Sequence, residues 1–156
     1  MKRRWRWFSL AALALVLLGA ALWPAQTLEV GTVAGERRWC AVVAAGEPVV
    51  YLSMNSIYRV PVAETWTLEG NVIRVTRVDS APIVLDYYGI VDYTVDAQGR
   101  AAGDPHLSYT GLRIALTEQG QQRLRVGGQE IALAALAPEG TLTVHARHAP
   151  RLLACR

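Results

Sequence analysis

The residues best suited to chemistry lie in the stretch Tyr51–Trp66, where a predicted strand runs into a polar corner. Asn55, Ser56 and Arg59 occupy that corner. If their side chains converge at the end of a sheet, they form a site for an anion, and the Arg59 guanidinium can bind a carboxylate through two parallel hydrogen bonds. The spacing favours a structural alternative, because asparagine and serine in a turn commonly bond to their own backbone. In that alternative Arg59 pairs with Glu64 across the bend.

A second group of polar and aromatic residues follows further along the chain. Asp86-Tyr87-Tyr88 and Asp92-Tyr93 place acidic residues directly before aromatic ones. Such aromatic side chains most often pack across neighbouring strands, and the alternative is a platform that binds a peptide or a sugar. The two groups together supply the candidate residues for binding a ligand or a partner, which are Asn55, Ser56, Arg59, Glu64, Tyr87 and Tyr88.

The sequence contains no recognisable catalytic or metal-binding pattern. No serine follows a nucleophile-elbow motif, and Ser56 has no base close to it in the sequence. His145 and His148 are three positions apart, which puts them on opposite faces of a predicted strand. We therefore predict that the protein is not an enzyme and that it uses neither a cofactor nor a metal ion.

The formal net charge of +3 does not indicate a nucleic-acid partner. Lys2, Arg3, Arg4 and Arg6 belong to the first residues of the chain, so the remaining 12 of the 16 basic residues face 13 acidic ones. The rest of the chain is therefore close to neutral and has no basic stripe suited to phosphates.

Residues 1–25 have the layout of an export signal, in which a basic head precedes an apolar run that ends at Trp23. The run is shorter than the ~20 residues that span a bilayer comfortably, and small residues permit cleavage after Ala21. Tryptophans on both sides of the run favour instead its retention as a membrane anchor. Both outcomes predict an exported protein, located in the periplasm or on the outer face of the cytoplasmic membrane.

Cys40 and Cys155 are the only two cysteines of the chain. In an exported protein an even pair most simply forms a disulfide, and the alternative is two unpaired thiols. A bond between them would tie the end of the chain to an early strand. In the chain-entropy model it would stabilise the fold by up to roughly 4–5 kcal/mol.

Residues 26–156 show a hydrophobic period of two, which predicts one all-β domain, an antiparallel sandwich or barrel-like fold. The clearest hairpins cover residues 62–79, with the turn Glu69-Gly70-Asn71, and residues 123–133, with the turn Gly127-Gly128. We expect little helix: one turn at residues 131–136 and either a short 3₁₀ helix or a loop at residues 117–122. A long loop is expected at Gln98–Pro105. Further strands are predicted at Leu28–Val33, Trp39–Val43, Val49–Met54, Ile83–Tyr88, Val91–Val95, Leu107–Leu116 and Thr141–Ala146.

The corner residues also resemble the motif of the domain-of-unknown-function 1850 family, which comprises small exported bacterial β-proteins. Asn55 stands where that family has histidine, and Tyr58 stands where it usually has an acid. A glycine-rich turn that the family shows further on is reduced to Ser80-Ala81-Pro82-Ile83. The residues that fit the motif are Ser56, Ile57, Arg59, Pro61, Val62, Glu64 and Trp66.

The resemblance implies a companion of tripartite ATP-independent periplasmic (TRAP) transporters, which take up carboxylates. The leading hypothesis is therefore a non-enzymatic extracytoplasmic accessory protein. Its partners would be the transporter membrane subunits or the solute receptor, together with the membrane through the N-terminal segment. The alternative is a freestanding β-sandwich that binds a small carboxylate or a saccharide at the same corner.

Overall fold

The computed structural model describes residue 19 and residues 22–137 and 140–155, and most of these residues form β-strands. One short helix, α1 (Pro82–Tyr87), interrupts the strands, and 3₁₀ turns form at Glu118–Gly120, Leu133–Ala135 and Arg151–Leu153. The strands are β1 (Pro24–Thr32), β2 (Arg37–Val43), β3 (Val49–Met54), β4 (Pro61–Glu69), β5 (Val72–Ser80), β6 (Tyr93–Val95), β7 (Ala101–Gly103), β8 (Leu107–Tyr109), β9 (Leu112–Leu116), β10 (Arg123–Val126), β11 (Gln129–Ala132) and β12 (Gly140–Pro150).

The strands form two sheets in which the paired strands are antiparallel. The small sheet has the order β2-β1-β12-β9, and the large sheet has the order β11-β10-β3-β4-β5-β7-β6, with β8 also paired to β5. Buried residues of both sheets belong to one hydrophobic cluster. This arrangement confirms the predicted all-β antiparallel fold.

The core follows from the alternation of side chains along the strands. Leu28 and Val30 of β1 are fully buried beneath the small sheet. On β4 the residues Val62, Trp66 and Leu68 are buried at alternate positions and face the same core. Glu64 lies two residues from Val62 and two from Trp66, so it belongs to the same row, and it is the one charged residue in it.

Both predicted hairpins are confirmed. In the first, Glu69 pairs with Val72, so Gly70 and Asn71 form the two-residue turn. In the second, Val126 pairs with Gln129 around the two glycines. Gly70 has a φ of 63°, a conformation that glycine adopts without the steric penalty of a Cβ atom.

The predicted strand at Ile83–Tyr88 is wrong, because these residues belong to α1 and its C-terminal end. Pro82 occupies the start of the helix, where its fixed φ is suited to the first turn. Val84 and Leu85 are both fully buried. Two adjacent residues cannot both face the core from one strand, whereas neighbouring positions on a helix can, so packing favours the helix.

Two other boundaries differ from the prediction. The expected loop at Gln98–Pro105 contains β7, which pairs with β5 and β6. The single strand expected at Leu107–Leu116 is divided into β8 and β9, which belong to different sheets. The segments 117–122 and 131–136 contain the 3₁₀ turns at Glu118–Gly120 and Leu133–Ala135.

Cys40 and Cys155 form the predicted disulfide, with Cα atoms 5.3 Å apart and a sequence separation of 115. The bond fastens the last residues of the chain to β2, an edge strand of the small sheet. Nearby, the Arg151 backbone N–H donates a hydrogen bond to the Trp23 carbonyl at 3.0 Å. Both contacts hold the two ends of the described chain against the small sheet.

The basic head, most of the apolar run of the predicted export signal or anchor, and Ala21, after which cleavage was proposed, lie outside the described residues, which include only Gly19, Leu22 and Trp23 of that run. Strand β1 begins at Pro24, inside the segment assigned to export. No helix within the described ranges is long and apolar enough to cross a membrane.

Candidate functional site

Asn55 organises the turn between β3 and β4. The residue is 9 % exposed, and its Oδ1 accepts hydrogen bonds from the backbone N–H groups of Ile57 at 3.0 Å and Tyr58 at 2.9 Å. Its own backbone donates to the Val60 carbonyl and accepts from the Arg59 N–H. The alternative in which Asn55 bonds to the backbone of its own turn is therefore correct, and its Oδ1 stabilises that turn.

Ser56 and Arg59 project from the same turn and are both exposed. Arg59 has a φ of 54° and forms no ion pair with Glu64, nor with any other acidic side chain in the described part of the chain. The expected pairing of Arg59 with Glu64 across the bend is thus wrong. The physical reason is that Glu64 faces the core from β4, whereas Arg59 is exposed to solvent in the turn.

Glu64 lies in a cleft between the large sheet and the chain that follows β7. It is paired in register with Tyr51 of β3 and with Val78 of β5, which orients all three side chains to the core face. The cleft has a volume of about 300 Å³. Its lining consists of Glu64, Val75, Val78, Tyr88, Pro105, Leu107 and Tyr109.

The Glu64 carboxylate has one partner and one free oxygen. Trp66 Nε1 donates a hydrogen bond to Glu64 Oε2 at 2.9 Å. Burial raises the pKa of Glu64 above its usual range, and the hydrogen bond from Trp66 acts in the opposite direction. Among the described residues no hydrogen-bond donor reaches Oε1, and no polar side-chain atom is both fully buried and unpaired. Oε1 is therefore the oxygen open to the cleft.

Three tyrosines surround this carboxylate. Tyr51 stacks on Trp66 with ring centroids 5.2 Å apart, while Tyr88 and Tyr109 line the cleft. Burial raises the pKa of all three hydroxyls, and the negative charge of Glu64 adds to that effect. The tyrosines therefore remain neutral, and none of the lining residues carries a positive charge. An anion is disfavoured in this cleft.

Next to the cleft lies an apolar surface patch, which we call the corner surface and define as Ile57, Tyr58, Tyr87 and Tyr88. Tyr58 is half-buried against the core, and the other three residues are exposed. The Tyr58 and Tyr87 rings meet edge to face with centroids 6.0 Å apart, and Tyr87 and Tyr88 are 5.9 Å apart. Ile57 and Tyr87 are 59 % and 57 % exposed. The turn organised by Asn55 and the helix α1 thus present apolar surface to solvent from two ordered elements.

The six candidate residues therefore divide into three groups. Asn55, Ser56 and Arg59 form the turn, Glu64 and Tyr88 line the cleft, and Tyr87 joins Tyr88 on the corner surface. The sequence reasoning did not identify Tyr109 as a site residue. Its strand, β8, reaches the cleft only because it pairs with residues 73–75 of β5, a long-range contact that has no local sequence signal.

A larger trough lies on the face of the large sheet opposite to Glu64. Its residues were not among those predicted from the sequence. It has a volume of about 580 Å³. Its lining includes Leu52 and Ala63, which are neighbours in register, together with Arg100 and Arg123. Arg123 pairs with Glu130 at 3.3 Å, whereas Arg100 has no acidic partner among the described residues. Asp79 also lines the trough and pairs with Arg77 at 2.7 Å, so the charge left without a partner is that of Arg100, beside apolar surface.

No cluster of three or more metal-ligating side chains occurs within the part of the chain that the structure describes. Comparison with models of known protein families, with curated proteins and with solved structures found no match to this chain.

Proposed function

We propose that this protein is a non-enzymatic extracytoplasmic accessory protein that docks onto a protein partner through the corner surface. The observation that carries the proposal is the aromatic cluster in which exposed Tyr87 and Tyr88 pack beside half-buried Tyr58, on two ordered elements. Tyrosine is enriched at the centres of protein interfaces, because it buries a large area at a low cost in conformational entropy. The disulfide supports an oxidising location outside the cytoplasm.

The resemblance to the domain-of-unknown-function 1850 family suggests which partner to test first. It favours the membrane subunits or the solute receptor of a TRAP-type transporter. Arg59 is exposed beside the aromatic cluster, so a partner surface with an apolar centre and an acidic residue at its edge would be complementary to it. The N-terminal segment, cleaved or retained, would determine whether the protein meets that partner in the periplasm or at the membrane.

The test is purification of the tagged full-length protein from gently solubilised native membranes, followed by mass spectrometry of the proteins that accompany it. We expect transporter subunits in near-stoichiometric amounts. Tyr87→Ser and Arg59→Glu should reduce their recovery. The matched controls are Val33→Ser, an apolar residue of similar exposure beside the small sheet, and Arg113→Glu on β9, and both should leave recovery unchanged.

Purification of the protein alone, or equal recovery with the Tyr87 and control variants, would refute the docking proposal. Thermal unfolding of each variant separates a lost contact from a lost fold. Since Tyr87 and Arg59 are exposed, their variants should unfold within roughly 0.5 kcal/mol of the unmodified protein.

A second candidate function is binding of a small carboxylate. For this function the trough on the outer face of the large sheet is a better site than the turn formed by Asn55, Ser56 and Arg59. There the free Arg100 guanidinium and an apolar floor suit an aliphatic carboxylate. Hexanoate at a hundred-fold excess over its Kd should stabilise the protein by about 2.7 kcal/mol. Arg100→Gln should abolish that stabilisation, and Arg113→Gln should not. If hexanoate does not raise the unfolding free energy of the unmodified protein, this site is excluded.

A further inference from the structure

Glu64 differs in its surroundings from the acidic residues that form ion pairs with arginine. Glu29, Glu36, Glu69, Asp79 and Glu130 each have an arginine within 4.0 Å. Glu64 faces the core from β4 and has no cationic partner in the described ranges. A carboxylate in such a place is costly for stability, because burial disfavours its charged form and nothing of opposite sign offsets the loss of water.

The groups that face Glu64 come from four elements. Tyr51 lies on β3, Trp66 follows on β4, Tyr88 lies at the end of α1, and Tyr109 lies on β8. All four are neutral, and the aliphatic side chains of Val75, Val78 and Leu107 complete the walls. The cleft therefore combines a single negative charge with aromatic rings and apolar surface.

We propose that this cleft binds an alkylammonium group, whose nitrogen contacts the free Oε1 of Glu64 and whose alkyl chain lies against the apolar walls. A cation is attracted both by the carboxylate and by the negative faces of tyrosine rings, and this attraction increases where water is excluded. The volume of about 300 Å³ is at the lower end for ligand pockets, which suits an amine of a few carbon atoms. Trp66 holds the other carboxylate oxygen, so Glu64 is oriented before the ligand arrives.

Proton binding at Glu64 should compete with the cation. Since burial raises the pKa of Glu64, the neutral acid persists to higher pH than in an exposed glutamate. The amine therefore binds more tightly as pH rises through that pKa, and its binding releases a proton from the fraction of molecules that were protonated. Tyr51, Tyr88 and Tyr109 stay neutral over this range and contribute no charge of their own.

The experiment is isothermal titration calorimetry of the detergent-solubilised full chain with n-butylammonium chloride. Butanol and sodium butyrate serve as the neutral and the anionic probes of the same length. We expect saturable binding of the cation alone, and binding at least ~10-fold weaker in Glu64→Gln, which keeps an oxygen for Trp66 while removing the charge. The matched control is Glu69→Gln on the same strand, whose exposed carboxylate pairs with Arg74, and it should bind like the unmodified protein.

The same ammonium chemistry could come from a free amine or from a lysine side chain of a protein. Nα-acetyl-lysine methylamide distinguishes these sources, because its backbone groups need an open path to the cleft. Tighter binding of butylammonium identifies a free amine, and tighter binding of the lysine derivative identifies a protein segment. Either result supports the ammonium site.

The proposal is overturned if butylammonium does not bind saturably, if butanol binds equally well, or if Glu64→Gln leaves the affinity unchanged. It does not rest on the docking function. Glu64 lines the cleft, whereas Tyr87 is exposed and does not line it, so Glu64→Gln tests the cleft while Tyr87→Ser tests the corner surface.

Discussion

Removing the disulfide with the double variant Cys40→Ser/Cys155→Ser should cost the protein a large part of its stability. The bond joins residues separated by 115 positions. In the chain-entropy model a loop of this length lowers the entropy of the unfolded chain by an amount equivalent to about 5 kcal/mol at 25 °C. Natural domains have a total unfolding free energy of only about 5–15 kcal/mol, so the effect is readily measured.

The folded state should survive this change. Strand β12 pairs with β1 along nine residues from Pro24 to Thr32, so the small sheet is held by backbone hydrogen bonds without the disulfide. Because engineered and native disulfides commonly contribute less than the entropic limit, we expect a loss of about 3–5 kcal/mol. For a domain of this size the loss corresponds to a decrease in Tm of roughly 10–20 °C.

The assay is equilibrium urea unfolding, monitored by tryptophan fluorescence, of the oxidised protein, the chemically reduced protein and the double variant. The reduced protein and the double variant should agree, and both should have a steeper denaturant dependence, because an unfolded chain without the cross-link exposes more surface. A double variant within about 1 kcal/mol of the oxidised protein would refute the reasoning, since the long loop would then contribute little of the entropy assigned to it.

Substitutions that test Glu64, Gly70 and Asn55 probe further parts of the fold. Burial raises the pKa of Glu64, so the unfolded chain loses this proton at lower pH than the folded protein, and the free energy of unfolding falls as pH rises through the folded pKa. In urea titrations Glu64→Gln should lack this decline and should gain stability relative to the unmodified protein between acidic and neutral pH. Parallel curves of unfolding free energy against pH for the two proteins would contradict the raised pKa. Gly70→Ala should lower the free energy of unfolding by about 1–2 kcal/mol, because φ is 63° at this residue. Gly128→Ala should cost far less, because φ of Gly128 is not in the left-handed region. Equal losses of stability in thermal unfolding would show that the backbone conformation of Gly70 is not the cause. Asn55→Ala should lower the free energy of unfolding by about 1–3 kcal/mol, because two hydrogen bonds to Oδ1 are lost. Asn55→Asp keeps an acceptor oxygen and should change stability less in the same assay. A similar loss for both variants would show that Oδ1 does not stabilise the turn.

Much of the fold could be predicted because its hairpins are local. The turn at Gly70-Asn71 brings β4 and β5 together through residues next to each other in the sequence, and the alternation of Trp66 and Leu68 marks the face that is buried. The same kind of signal failed for Ile83–Tyr88, since a short apolar run reads equally well as a strand or a helix. Packing of both Val84 and Leu85 against the core decided between the two.

The sequence by itself determined the antiparallel β architecture, the pairing of the only two cysteines and the turn chemistry of Asn55, all of which depend on residue type, alternation or count. Only the tertiary structure decided the environment of Glu64. Its neighbours Tyr51, Tyr88 and Tyr109 are distant in the chain. Strand register brings Tyr51 and Tyr109 to the cleft, and Tyr88 reaches it from the end of α1. The spacing of Arg59 and Glu64 suggested an ion pair, but the alternation of β4 turned the carboxylate inward, where burial and not a neighbouring charge sets its chemistry.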